Sequence, residues 1–231
     1  MSDQKNPYNF SRADIHDGAI DAHIEHISHE FRAGFALLKK YPKSVSIFGS
    51  SVAVPEMQTY KDAETLSGLI VRELGYAVIT GGGPGIMEAA NKGAYEAGGS
   101  SIGLHISLPH EHMMNAYATE SMKFSYFFAR KTMLTFAAEA FIFFPGGYGT
   151  LDELTSILTL IQTQKIPRIP VILFGSEYWN SFRGFLKTEA VERYHAINDE
   201  GLNLFDITDS LEHVIEVIRK APVSEWWRNI N

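Results

Sequence analysis

Hydrophobic positions in this chain follow two different periods. Between residues 14 and 40 they fall at Ile20, Ile24, Ile27, Phe31, Phe35 and Leu38, in steps of three and four. That spacing makes one stripe along a long helix with a polar opposite face. Beyond Pro42 the apolar residues gather instead into short continuous runs: SVSIF at 44–48, YAVIT at 76–80, residues 101–106, AFIFF at 140–144, PVILF at 170–174 and a last run at 205–207. Stretches of helical period separate them at 60–74, 86–97, 126–138, from the second glycine turn to 161, at 178–186 and at 210–219, with Gly75 placed to stop the first. Strands that are apolar throughout and alternate with amphipathic helices predict a parallel sheet covered on both faces. The expected fold is therefore α/β, a doubly wound, Rossmann-like parallel sheet with an N-terminal helical extension. Residues 1–42 are expected to form a tail and an amphipathic helix that packs on the main domain or on a partner subunit. Residues 43–231 are expected to form one domain.

In such a sheet, ligands bind beyond the carboxyl ends of the strands. Three small-residue loops fall there: Gly49-Ser50-Ser51, Gly81-Gly82-Gly83-Pro84-Gly85 and Pro145–Thr150 (PGGYGT). Glycines let the backbone come close to a ligand, and the helix that follows offers unpaired N–H groups and partial positive charge, so an anion fits. The GGGPG loop lacks the G-x-G-x-x-G spacing of dinucleotide sites, and no Gly-Lys-Ser/Thr follows either loop. Both absences count against nicotinamide-dependent enzymes and P-loop NTPases. Thr150 can cap the helix that follows and donate its hydroxyl to a phosphate oxygen. Glu153, three residues on, stands at the capping-box position, where it either closes the helix end or holds sugar hydroxyls and stabilises a sugar cation. Glu88 opens the helix after GGGPG, either as an acid matched to the helix dipole or as a sugar or base contact.

Composition narrows the chemistry further. With no cysteine in 231 residues, disulfides, thiolate metal sites and cysteine nucleophiles are excluded. Apolar content of 45% and charged content of 20% exclude wholesale disorder. A formal net charge of −7 argues against a general nucleic-acid surface while leaving room for a local basic pocket. No apolar run approaches the ~18 residues of a membrane span, and the polar first residues lack a signal core. A cytoplasmic protein that engages neither membrane nor nucleic acid is expected. His23, His26 and His29 recur every three residues, a spacing that drifts around a helix and is completed by no carboxylate pattern, so neither a metal site nor a cofactor is expected.

PGGYGTLDE at 145–153, the Arg130-Lys131 pair, GGGPGIMEAAN at 81–91 and the turn Phe48-Gly49-Ser50-Ser51 together resemble the Lonely Guy (LOG) family, whose motif PGGxGTxxE is met at every fixed position. The resemblance covers about residues 43–190. It implies a phosphoribohydrolase that cleaves the N-glycosidic bond of a nucleoside 5′-monophosphate, cytokinin riboside monophosphate or AMP, to free base and ribose 5-phosphate. The older label of the family, lysine decarboxylase, is not expected to describe the activity, since no pyridoxal-lysine signature is present. The resemblance assigns catalysis to Glu153 and Arg130. Breaking a ribosyl C–N bond builds positive charge on the sugar, which a carboxylate stabilises, and an arginine can clamp ligand oxygens beside it. Gly49, Ser50, Gly82, Gly83, Gly85, Glu88, Lys131, Gly146, Gly147, Tyr148, Gly149 and Thr150 are the expected substrate contacts. His105, Met113, Met114 and Tyr117 are placed where they could wall the base, although each is better explained as structural. Phe124, Tyr126, Phe127, Phe128, Trp226 and Trp227 suggest core, interface and docking roles, and with the long first helix they imply a homo-oligomer, a dimer or larger. The competing expectation is a non-catalytic nucleotide or molybdenum-cofactor carrier, because such carriers resemble this fold and its glycine loops.

Overall fold

The computed structural model describes residues 17–107, 114–136 and 138–221. Met113, Trp226, Trp227 and the first sixteen residues lie outside that set. The chain runs α1 (Asp17–Leu38), β1 (Ser44–Phe48), α2 (Gln58–Leu69), β2 (Ala77–Thr80), α3 (Ile86–Glu96), β3 (Ser101–Ile106), β4 (Glu120–Phe124), α4 (Phe127–Phe136), β5 (Phe141–Phe143), α5 (Tyr148–Gln162), β6 (Val171–Phe174), α6 (Ser176–Phe185), β7 (Asp206–Thr208) and α7 (Leu211–Lys220). A π-turn, Ile70–Leu74, extends α2 and ends at Gly75, which takes the left-handed conformation (φ 66°) expected of a helix stop.

Seven strands form one sheet in the order β4-β3-β2-β1-β5-β6-β7, every pair parallel. The chain winds outward from β1 to β4, crosses back, and winds outward again from β5, so the doubly wound expectation holds. Strands β1, β2, β5 and β6 are buried along their whole length. One apolar layer sits beneath α1, α4, α5 and α6, and a second beneath α2, α3 and α7. The order reverses between β1 and β5, which opens a crevice at their carboxyl ends.

Several expectations need correction. β4 (ESMKF) is a strand that the hydrophobic pattern does not announce. It pairs on one side only, and its exposed Ser121 and Lys123 alternate with inward residues down to the buried Phe124. The stripe of α1 docks only from Ile27 and Phe31 onward, through Leu37 and Leu38, while Ile20 and Ile24 remain exposed. Tyr148, Gly149 and Thr150 form the first turn of α5 rather than the loop before it, so Thr150 is the third helical residue and Gly147 is the cap, with no side-chain cap bond. The capping-box reading of Thr150 and Glu153 is thereby removed.

Candidate functional site

A cavity of about 470 Å³ lies over the crevice, within the size range of small-molecule sites. Its walls come from the loop after β1 (Gly49–Val52), the loop after β2 (Gly81, Gly83 and Pro84), the end of β3 (His105 and Ile106), the inward side of α4 (Phe127, Arg130 and Leu134), and the start of α5 (Gly147–Thr150 with Asp152 and Glu153). No wall residue comes from β6 or β7, so the cavity runs from β5 across β1 and β2 to β3.

A buried polar network fixes the β2 loop. Thr80 Oγ1 donates to Asn91 Oδ1 (2.6 Å) and accepts the Gly82 N–H (2.9 Å), while Asn115 Nδ2 donates to Gly83 O (3.0 Å) and Asn91 Oδ1 (2.9 Å). Gly82 (φ 71°) thus has its amide already used, and a Cβ there would lie 2.1 Å from His105 Cε1. Gly85 serves a second close approach: a Cβ would meet Ser50 O at 2.3 Å, and the same oxygen accepts the Ile86 N–H at 2.9 Å. Gly81 was missed as a contact, yet it is the wall residue against which Arg130 rests; a Cβ there would meet the guanidinium Nη2 at 2.1 Å.

Arg130 arrives one turn after α4 begins, its amide donating to Tyr126 O (3.1 Å), and its Nε donates to Leu104 O at 2.7 Å. Burial works against the charge of its guanidinium and the neighbouring Glu153 works for it. Glu153, one turn into α5 from Thr150, is only 6% exposed. Its Oε2 has no hydrogen-bond partner. Burial pushes its carboxyl up to about 7, against the opposing pull of Arg130 and Lys131. A buried carboxylate without a partner is costly in a folded chain and marks a place where a ligand or water is to be met. His105 is in the same condition: it is 6% exposed and its Nε2 lacks a partner. Burial, then Arg130 and Lys123, lower its pKa, so the imidazole is neutral at neutral pH.

The sequence-based contacts thus divide. Gly49, Ser50, Gly83, Gly147, Tyr148, Gly149, Thr150, Arg130 and Glu153 meet in the cavity. Gly82, Gly85, Glu88, Lys131 and Gly146 are not among its walls. Glu88 accepts the Tyr60 hydroxyl at 2.9 Å. Lys131 pairs with Asp152 Oδ2 at 2.6 Å and so ties α4 to α5 at the cavity rim. Gly146 lies under Thr150, whose Oγ1 would be 2.1 Å from a Cβ on it. Met114 and Tyr117 stand away from the cavity, and the apolar wall is supplied instead by Met87, Phe127 and Leu134.

A family model described as “Possible lysine decarboxylase” matches residues 87–218, more than half of the chain and the whole of α4 and α5. Proteins named as cytokinin riboside 5′-monophosphate phosphoribohydrolases also match the chain. The chain belongs to the LOG family. One rice relative, named as a probable member of that enzyme class, is 33% identical over 139 residues, 58% of this chain and 64% of its own. The rice LOG protein is 30% identical over 60% of this chain and 58% of its own. A Rhodococcoides fascians phosphoribohydrolase is 25% identical over 66% of this chain and 78% of its own. The aligned stretch thus spans less than two thirds of either rice protein. Among solved structures, a molybdenum cofactor binding protein from Rippkaea orientalis is 28% identical with a TM-score of 0.55, covering 76% of this chain and 93% of its own. A molybdenum cofactor carrier protein from Chlamydomonas reinhardtii, 20% identical with a TM-score of 0.54, shares the fold.

Proposed function

We propose that this protein hydrolyses the N-glycosidic bond of a nucleoside 5′-monophosphate, cytokinin riboside monophosphate or AMP, to free base and ribose 5-phosphate. The observation that carries the reading is Glu153: a buried carboxylate with an unpartnered oxygen, one turn from an open helix N-terminus and beside Arg130. The 5′-phosphate takes the first-turn amides of α5. The ribose lies between Glu153 and Arg130, and the base extends toward β3, Met87, His105 and Phe127. Three strand spacings at ~4.8 Å give this track a length of ~14 Å, room for the three parts in series. As the C–N bond lengthens, positive charge grows on the anomeric carbon and ring oxygen, and ionised Glu153 stabilises it and orients the attacking water. Arg130 holds ligand oxygens and keeps part of Glu153 ionised.

Incubating the protein with AMP and with isopentenyladenosine monophosphate, then chromatographing for free base, tests the reading directly. Release of adenine or isopentenyladenine supports it. The likeness to a molybdenum cofactor binding protein favours a second reading, a carrier, which predicts ligand binding without base release. In the hydrolase reading Arg130→Ala lowers turnover and weakens AMP binding. Because Arg130 and Glu153 act as one unit, the Arg130→Ala, Glu153→Gln pair costs far less than the product of the single losses. Multiplicative losses in a double-mutant cycle would show that the two act independently.

The protein is also proposed to assemble as a dimer or larger. Ile20 and Ile24 on α1 and Phe127 and Phe128 on α4 leave large apolar side chains exposed. Light scattering at micromolar concentration is expected to give at least twice the 25.8 kDa chain mass; a single species at the chain mass would overturn this.

A further inference from the structure

Helix α1 lies outside the residues matched by the family model, yet it grips the helix that carries Arg130. Glu30, 3% exposed, points its carboxylate at the two-residue turn between β4 and α4: Oε1 accepts the Ser125 N–H at 2.6 Å and Oε2 the Tyr126 N–H at 3.3 Å. Amides at a helix start have no acceptor within the helix, and a carboxylate there also meets the positive end of the helix dipole. Two histidines of α1 support the grip, His26 Nε2 at 3.6 Å from Glu30 Oε1 and His23 Nδ1 at 2.6 Å from the Tyr126 hydroxyl. One turn further on, Gly34 lets the helices close together, since a Cβ there would stand 2.6 Å from Met133 Sδ. Tyr126 links the two ends of the chain of contacts. Its N–H is held by Glu30, and its carbonyl accepts the Arg130 amide.

We propose that Glu30 is a positioning residue: by fixing Ser125 and Tyr126 it sets the start of α4, and through it the place of the Arg130 guanidinium between Gly81, Leu104 and Glu153. Glu30 is not a wall of the cavity and touches no ligand. Arg130 has little slack, with its Nε bonded to Leu104 O and its Nη2 against the Gly81 backbone. Displacement of a reacting group by about 1 Å lowers a rate by about 10²-fold, so a loosened α4 start is felt in turnover. The inference rests on the hydrolase reading for its kinetic arm alone.

Glu30→Gln keeps the shape but replaces one acceptor oxygen with an NH₂ group facing a backbone N–H, whereas Glu30→Asp keeps both acceptors. In Glu30→Gln, amide hydrogen exchange at residues 125–130 is expected to accelerate by about tenfold or more, the scale of a lost charge-assisted bond, while amides of α5 exchange as in the wild type. Turnover of AMP falls by about tenfold or more, while KM rises by no more than it does in Arg130→Ala, because the phosphate contacts on α5 are untouched and only the Arg130 contact is loosened. In an Arg130→Ala background the same substitution adds less than about twofold, since its effect passes through Arg130. Glu30→Asp recovers part of both losses. Unchanged exchange at residues 125–130, or a full turnover loss persisting in the Arg130→Ala background, overturns the proposal. If the wild-type protein releases no base from any nucleotide, the hydrolase reading fails and the exchange measurement alone decides the role of Glu30.

Discussion

Glu153→Gln is expected to remove most turnover and, at the same time, to make the protein more stable in alkaline solution. The two effects have one cause. Burial holds the Glu153 carboxyl at about 7 in the folded chain, against about 4.3 in an unfolded one. The folded state therefore keeps its proton longer. Below the unfolded pKa the group costs the fold nothing; as pH rises toward 7 the unfolded chain releases the proton first and stability falls, by roughly 4 kcal/mol in total. Glutamine has no proton to lose, so urea unfolding of the variant at pH 8 should show a gain of that order over wild type, vanishing near pH 4. Turnover moves the opposite way. In the proposed hydrolysis the ionised carboxylate faces the developing ribosyl cation, and losing one such electrostatic group costs about 10²–10³-fold. The wild-type kcat/KM should accordingly rise with pH through about 7 as Glu153 ionises. A folded variant that binds AMP and releases base at an undiminished rate would remove Glu153 from the chemistry, whatever its stability.

That combination of lost activity and gained stability also separates this residue from a helix cap. The sequence alone left both readings open, because S/T-x-x-E spacing is the same whether the threonine stands before a helix or inside it. The backbone decides: with Gly147 as the cap, Thr150 lies in the first turn and Glu153 one turn beyond, facing inward. The buried strands, the parallel sheet and the rim loops were legible because buried parallel strands read as continuous apolar runs and because glycine loops stand out. β4 was not legible, since an edge strand paired on one side carries Glu120, Ser121 and Lys123 without penalty. Within GGGPG the spelling identified a loop but not which glycines face the ligand. That depends on Thr80 together with Asn91 and Asn115, which lie farther along the chain and engage the loop, taking the Gly82 amide and leaving Gly81 and Gly83 in the wall. The link between Glu30 and the start of α4 spans 95 residues, and no local pattern records it.

Removing the 5′-phosphate from the substrate should cost more than any other single change to it. The amides of Tyr148, Gly149 and Thr150 open α5 and have no acceptor within the helix, since the first intrahelical bond runs from Leu151 N to Gly147 O. The same residues line the cavity, with the Thr150 hydroxyl beside them. Hydrogen bonds to a charged partner are worth about 1.5–3 kcal/mol each, so even two such bonds separate AMP from adenosine by roughly 10²–10⁴ in kcat/KM. Among the described wall residues Arg130 is the one arginine or lysine, and it is engaged near β3 rather than at α5. A 5′-phosphate bound as proposed would therefore be held by neutral donors and a helix end rather than by a cluster of cations. Binding through neutral amides in a shielded pocket is screened less than binding through exposed lysines, so KM for AMP should change little between low and physiological salt. Thr150→Ala removes one hydroxyl donor and should raise KM by about tenfold with kcat largely retained, because the contact exists in both ground and transition states. Comparable kcat/KM values for adenosine and AMP would show that the start of α5 does not read a phosphate. A KM that climbs steeply with salt would instead place the anion among charged side chains.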